Sequence, residues 1–348
     1  TAGIPYDIAI CSDCLKELFD ENSPRYRYPF ISCPQCGERF SVAKGIPFER
    51  GTTAWRGFDP CDSCRANEDD SDQRRFGHHL VSCPECGPKY MLSDSSGFAI
   101  KSSDPFKDAA HALKNGEILA VEGLSGYHIV LDAKNLPLMD ILRFRSGLPR
   151  KPLVLMARNV EAVEHICYLS DEERATITSP RSPVVLLRKR REHLNHMCDA
   201  LSPYLANIAI VLPHIPVHHL LFADTGLDYL VYSQGNTSEE PILARMDDAV
   251  SKLSGVVDKF LHHNLPISNR TDNSVGFVCD GEFFLTRRGR GFVPERMELP
   301  ISGPCVIGAG AEMRAAFAVT AGKWAWTSPF IGNMDNRDAL EYYNASLK

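Results

Sequence analysis

Eight of the chain's 12 cysteines form four Cys-x-x-Cys pairs, Cys11/Cys14, Cys33/Cys36, Cys61/Cys64 and Cys83/Cys86. Thiolates are metal ligands, and two intervening residues let both sulfurs of a pair face one ion at about 2.3 Å. Each half reads C-x2-C-x18-C-x2-C, the spacing of a four-cysteine zinc site. Both second pairs are Cys-Pro-x-Cys-Gly, where glycine permits the tight turn that aims backbone N–H groups at sulfur. Four thiolates close the coordination shell, so two structural zinc ions are expected rather than catalytic ones. Redox dithiols are the alternative. Pairing within each half is the simple expectation, and crossed pairing of knuckles stays open. His78 and His79 are expected at the surface, because four cysteines already satisfy an ion. With no secretory signal evident, paired cysteines read as ligands in a cytoplasmic protein before they read as disulfides.

The cysteines belong to a unit repeated 50 positions later: Arg25 answers Arg75, Tyr26 Phe76, Pro34 Pro84, Gly37 Gly87 and Phe40 Tyr90. Its surroundings are polar, so residues 1–95 read as a tandem finger module unable to fold on hydrophobicity alone. The texture changes near residue 100. Asp104-Pro105 starts a helix, Phe106, Ala109, Ala110 and Leu113 give its stripe, and Gly116 ends it. Strand-like runs follow at 118–121, 127–131, 153–156, 184–187, 208–212 and 229–232, several separated by helical patterns. One helix opens with the capping box Ser170/Glu173. This alternation predicts an α/β (or α+β) domain with a twisted open sheet over 100–298. Phe277–Cys279 and Phe283–Thr286 flank Asp280-Gly281 as a closing hairpin. The stretch Pro300 to Gly310 reads as a linker, and the last 40 residues are too few for an independent core, so 299–348 reads as a linker and an opening segment. Met139, Ile141 and Leu142 read as core, and Cys167, Cys198, Cys279 and Cys305 as small buried apolar residues.

Of 348 residues, 44% are hydrophobic and 24% charged, which excludes wholesale disorder. Apolar runs such as 208–213 are too short to span a membrane. A net charge of −6 argues against bulk nucleic-acid binding, and the basic run Arg188 to Arg191 reads as a solvated loop.

Arg25-Tyr-Arg-Tyr-Pro-Phe-Ile-Ser-Cys33-Pro-Gln-Cys36-Gly, and Arg74-Arg-Phe76 followed by Cys83-Pro-Glu-Cys86-Gly-Pro, resemble the double zinc finger of the hydrogenase-maturation carbamoyltransferase family HypF. Residues 100–298 resemble the YrdC-like domain that follows those fingers. The supporting stretches are Gly126-Tyr-His128, Lys151-Pro152-Leu153, Ser233-Gln-Gly-Asn236-Thr-Ser238-Glu-Glu240, Asp272-Asn-Ser274-Val275 and Arg287-Arg288-Gly-Arg290-Gly. Gly308-Ala-Gly-Ala-Glu312 and Ser328-Pro-Phe-Ile-Gly332-Asn-Met-Asp335 resemble the opening of the family's actin-fold transfer domain. The family's N-terminal acylphosphatase domain and most of its transfer domain have no counterpart among these residues. The resemblance implies formation of carbamoyl adenylate from ATP, with magnesium, and carbamoyl phosphate. It also implies transfer to a maturation partner's C-terminal cysteine. It places nucleotide or carbamoyl contacts at His128, Arg143, Arg145, Lys151, Ser233, Asn236, Ser238, Arg270, Ser274 and Arg288, and assigns no catalytic residue.

Where the family carries lysine-x-arginine, this chain has Ser146 and Leu148. Gln234 stands for serine, Glu122 for lysine, Leu265 for arginine and Asn273 for aspartate. Loss of one donor to developing charge typically costs ~10²–10³ in rate. Arg143, Arg145 and Arg150 flank the gap as substitutes. Two alternatives follow: a noncatalytic scaffold binding nucleotide or a maturation partner, and a threonylcarbamoyl-adenylate synthase in tRNA modification.

Overall fold

The computed structural model describes residues 3–148, 151–190, 196–236 and 240–347. The finger module holds α1 (Ser12–Leu18) and α2 (Asp62–Asp69), which begin directly after Cys11 and Cys61. Cys11 Sγ caps its helix, accepting from Cys14 N–H at 3.5 Å, whereas Cys61 makes no such side-chain cap bond. In chain order follow β1 (Tyr90–Asp94), β2 (Ala99–Ile100), α3 (Pro105–Lys114), β3 (Leu119–Glu122), β4 (Tyr127–Asp132) and α4 (Leu136–Ser146). Next come β5 (Leu155–Ala157), α5 (Val160–Ile166), α6 (Asp171–Ile177), β6 (Val184–Arg188), α7 (His196–Leu201), β7 (Asn207–Val211), α8 (Pro216–Thr225) and β8 (Tyr229–Gln234). The chain continues through α9 (Met246–Leu253), β9 (Lys259–His263), β10 (Val275–Cys279), β11 (Glu282–Arg287), β12 (Met297–Gly308), β13 (Ala318–Thr327) and α10 (Arg337–Ser346).

Eleven strands among the described residues form one mixed sheet in the order β11-β10-β6-β7-β5-β8-β4-β3-β9-β1-β2. All six strand-like runs are strands of it. Asp104 caps α3 through its side chain, and the Ser170/Glu173 box caps α6. The β10–β11 hairpin turns on Asp280 and Gly281, both with positive φ, as an Asp-Gly turn requires. Sequence reasoning missed β1 and β9, whose five-residue stretches carry too few apolar residues to stand out.

Alternate residues of each strand enter two different cores. Leu119, Val121, Val130, Leu230, Tyr232 and Leu261 face α3, α8 and the fingers. Ala120, Ile129, Leu131, Val231 and Phe260 face α4, α5, α7 and α9. The fingers are therefore one layer of a three-layer fold. Phe30 lies 5.4 Å from Tyr90, 6.2 Å from Trp55 and 5.3 Å from His263, ring centroid to centroid, welding the first finger to β1 and β9.

Several expectations are corrected. The stretch from Pro300 is no linker: Met297–Gly308 pairs with β13 in a two-stranded ribbon, with register shifts between Glu298 and Val306. Both strands of such a ribbon are edges, so Pro300 and Pro304 need no ladder hydrogen bond on their open side. Cys279 and Cys305 are exposed, unlike buried Cys167 and Cys198. Ile141 faces solvent from α4 while Met139 and Leu142 are buried. His78 is buried, with Nε2 2.9 Å from Ser32 Oγ, and is not a zinc ligand. Lys189 and Arg190 are tethered, to Asp199 and to the Glu164 and Cys167 carbonyls, and Arg191 lies outside the described residues.

Candidate functional site

Two clusters of four thiols converge, Cys11, Cys14, Cys33 and Cys36 in one and Cys61, Cys64, Cys83 and Cys86 in the other, with all sulfurs of a cluster within 4.8 Å of one another. Each cluster comes from one repeat, which settles the pairing. Measured Sγ separations are 3.8 Å for Cys11–Cys33, 3.6 Å for Cys33–Cys36, and 3.8 Å for both Cys61–Cys83 and Cys83–Cys86. A tetrahedron with metal–sulfur bonds of about 2.3 Å has edges of about 3.8 Å, so both clusters fit zinc. With every corner a thiolate, the ion would hold the knuckles together and offer no position to substrate.

A second site lies on the opposite side of the sheet. Ile129, Leu142, Arg143, Ser146, Leu148, Lys151, Leu153, Ser233, Gln234 and Asn236 line a cleft between the C-terminal end of α4 and the ends of β4 and β8. Among the described residues, three buried polar atoms of this wall have no partner: Arg143 Nε, Gln234 Nε2 and Asn236 Oδ1. Buried polar groups are nearly always satisfied, so three orphans in one wall point to a missing ligand. The Asn236 amide nitrogen is held by the Glu240 carbonyl at 2.7 Å, which aims its oxygen. Burial pushes the Lys151 ammonium below its ordinary range, opposed by nearby Asp272. The cavity is small, ≈ 20 Å³, room for a water or two. A nucleotide enters only if its walls part.

Of the residues expected here, Arg143, Lys151, Ser233 and Asn236 come together. The others do not join them. His128 sits on the finger side of the sheet, stacked on Tyr232 at 4.0 Å with rings 9° from parallel. Burial, reinforced by Arg290, lowers its pKa to about 3, so it is neutral, and among the described residues its Nδ1 has no hydrogen-bond partner. It borders a ≈ 10 Å³ cavity with His214, Arg290, Asp7 and Glu38. Arg145 turns to Asp258 (2.9 Å) and the Val256 carbonyl. Ser274 Oγ donates to the Arg290 carbonyl and accepts from Gly289 N–H, which spends it on the loop. Arg288 donates to the Phe292 and Glu295 carbonyls. Arg270 lies over the Tyr342 ring of α10 at 4.2 Å. Ser238 and Arg150 lie outside the described residues.

The substitutions also separate. Ser146, Leu148 and Gln234 line the cleft. Glu122 does not: its Oε2 accepts from the Tyr127 hydroxyl (3.0 Å), which also meets Met246 of α9, and from the His263 backbone N–H (2.9 Å). Leu265 is core, and Asn273 Oδ1 accepts from Arg290 Nε. Sequence reasoning did not foresee the orphaned Gln234 amide or the partnerless Arg143 Nε. Strand parity would have separated His128 from Ser233, had the 128↔234 register been known.

Fold and site define a zinc-finger α/β protein of the Sua5/YciO/YrdC class, whose profile, described as telomere recombination, matches residues 111–289. The HypF finger profile matches 10–43 and 61–93, and the HypF Kae1-like domain profile matches 302–348. The chain belongs to the HypF carbamoyltransferase family. It is 36% identical to carbamoyltransferase HypF2 of Cupriavidus necator, over 97% of this chain and 44% of that protein. It is 34% identical to the probable carbamoyltransferase HypF of Methanocaldococcus jannaschii, over 99% of this chain and 44% of that one. Full-length HypF solved in a phosphate- and nucleotide-bound form superposes with a TM-score of 0.93 at 35% identity, covering 99% of this chain and 45% of that chain. HypF of T. kodakarensis gives 0.95 at 36% identity, covering 100% and 45%. The chain thus spans under half the length of these relatives. Among the described residues no helix is long and apolar enough to cross a membrane.

Proposed function

We propose that this chain forms carbamoyl adenylate from ATP and the carbamate derived from carbamoyl phosphate, in the cytoplasm, for delivery to the C-terminal cysteine of a hydrogenase-maturation partner. Residues 1–95 serve as the zinc-held layer, 100–298 as the nucleotide and carbamoyl domain, and 299–348 as the first part of a transfer domain. In the reaction water first cleaves carbamoyl phosphate to carbamate and free phosphate; a carbamate oxygen then bonds to the α-phosphorus of ATP, the bond to the β-phosphate bridge breaks, and pyrophosphate leaves with magnesium. Such a step needs cations and fixed donors aimed at the phosphoryl oxygens. Arg143 and Lys151 supply the cations, Ser233 and Gln234 the donors, and Asn236 Oδ1 an acceptor for the carbamoyl NH2.

The observation that carries this reading is the set of three atoms in one cleft wall that have no partner among the described residues. Ser146 and Leu148, neutral in that same wall, support a second reading, a scaffold that binds nucleotide without turnover. The finger and Kae1-like matches speak against threonylcarbamoyl-adenylate synthesis.

Exchange of labelled pyrophosphate into ATP, dependent on carbamoyl phosphate, is the expected result. No exchange, with thermal stabilisation by ATP retained, selects the scaffold. Ser146→Lys with Leu148→Arg is expected to raise exchange by ~10²-fold or more, the worth of a restored transition-state donor. No gain from the pair would show that the lost cations do not set the rate.

A further inference from the structure

The 50-residue repeat makes an internal test available: a contact built into the fingers occurs twice, with its partners exchanged. Arg25 Nε donates to the Ser82 carbonyl at 2.9 Å, and Arg75 Nε donates to the Ser32 carbonyl at 2.9 Å. Arg25 Nη2 reaches Cys64 Sγ at 3.5 Å, and Arg75 Nη2 reaches Cys14 Sγ at 4.0 Å. The Tyr28 hydroxyl lies 2.9 Å from Ser82 Oγ, and His78 Nε2 lies 2.9 Å from Ser32 Oγ. Every pair crosses from one repeat to the other, as a local two-fold axis demands. Both arginines are buried, at 3% and 5% exposure.

Burying a guanidinium is costly unless it meets an anion. A zinc ion with four thiolates carries a net charge of about −2, and buried sulfurs need N–H donors to hold that charge. Here those donors come from the neighbour. The first cluster receives a second one, Arg74 Nη1 to Cys14 Sγ at 3.2 Å. Glu17 ties Arg25, Arg74 and Arg75 together, whereas the position 50 residues later is the uncharged Asn67.

We propose that each zinc site is held in place by an arginine of the other repeat, Arg25 serving the cluster of Cys61, Cys64, Cys83 and Cys86 and Arg75, with Arg74, serving that of Cys11, Cys14, Cys33 and Cys36. These are positioning residues: they touch the ligands, not the ion. Duplication has made the two fingers mutually dependent: each repeat supplies all four ligands of its own site, and the other repeat supplies an arginine donor to their sulfurs.

The test uses the full zinc-loaded chain, challenged with a chelator in the presence of iodoacetamide, with alkylation mapped to individual cysteines by mass spectrometry. Arg25→Gln is expected to raise the initial alkylation rate at Cys61, Cys64, Cys83 and Cys86 by ~10–100-fold, and to exceed its effect on the other four, because loss of a group hydrogen-bonded to a ligand costs about that much in metal retention. Arg75→Gln is expected to reverse the ratio. Loosening of the cysteines in the variant's own repeat, equal loosening of both clusters, or no change overturns the proposal. Should a glutamine variant fail to fold, Arg25→Lys and Arg75→Lys, which keep the charge and lose the planar fork, are judged by the same ratio.

Discussion

Glu122 illustrates how one residue is reassigned by its surroundings. It stands where the HypF resemblance expects lysine, yet it lies 4% exposed beneath Tyr127 and His263, away from the cleft. Burial raises its pKa from 4.5 to about 8, partly offset by those two hydrogen bonds. The folded chain therefore keeps a proton that the unfolded chain has lost, and stability falls as pH rises from about 4.5 to about 8. Glu122→Gln keeps an acceptor and removes the titration. It is expected to be more stable than the parent by ~1–3 kcal/mol at pH 8, the penalty for a poorly solvated polar group. Thermal melts across the range should show that gap closing towards pH 4.5. A gap independent of pH would remove ionisation as its cause.

The cleft depends on how β4 and β8 separate at their ends. Gly235, just past β8, donates its N–H to the Tyr127 carbonyl at 2.8 Å. A Cβ there would lie 2.6 Å from that same oxygen. The two strands can approach this closely only with glycine, and the approach sets where Ser233 and Asn236 face α4. Gly235→Ala is expected to cost ~1–3 kcal/mol in denaturant unfolding, as overpacking does, and to weaken ATP binding in the same measurement series. A variant of parental stability and affinity would mean that the backbone there yields freely.

Fingers and sheet share a core, and the whole molecule should unfold accordingly. Besides the Phe30 cluster, Arg27 of the first finger meets Asp224 of α8 with both fork nitrogens, at 3.0 and 2.7 Å, and also meets Asp104, the cap of α3. Trp55 is fully buried in the joint core. Stripping zinc removes the link that holds the knuckles, and metal-binding energy in such modules is folding energy. A chelator is expected to lower the melting temperature of the entire described fold by ~5–10 °C, at roughly 2–4 °C per kcal/mol for a domain of this size, with a red shift of Trp55 fluorescence. An unchanged sheet transition alongside melted fingers would show two independent units.

The cysteine spacing, the 50-residue repeat and the six strand runs were readable because each is a local pattern: two residues between thiols, a cap before a stripe, period-two apolar alternation. Ligand pairing within each repeat, by contrast, was left open until the sulfurs were located in space. The scatter of His128, Arg145, Ser274 and Arg288 away from Arg143 and Lys151 likewise had to be seen. So did the crossing of Arg25 and Arg75 between repeats, although their match at 50 positions was in plain view. In each case the deciding fact is which face of a strand, or which side of a two-fold axis, a side chain occupies. That depends on register between segments far apart in the chain, and one residue of slip would turn every such side chain to the other face.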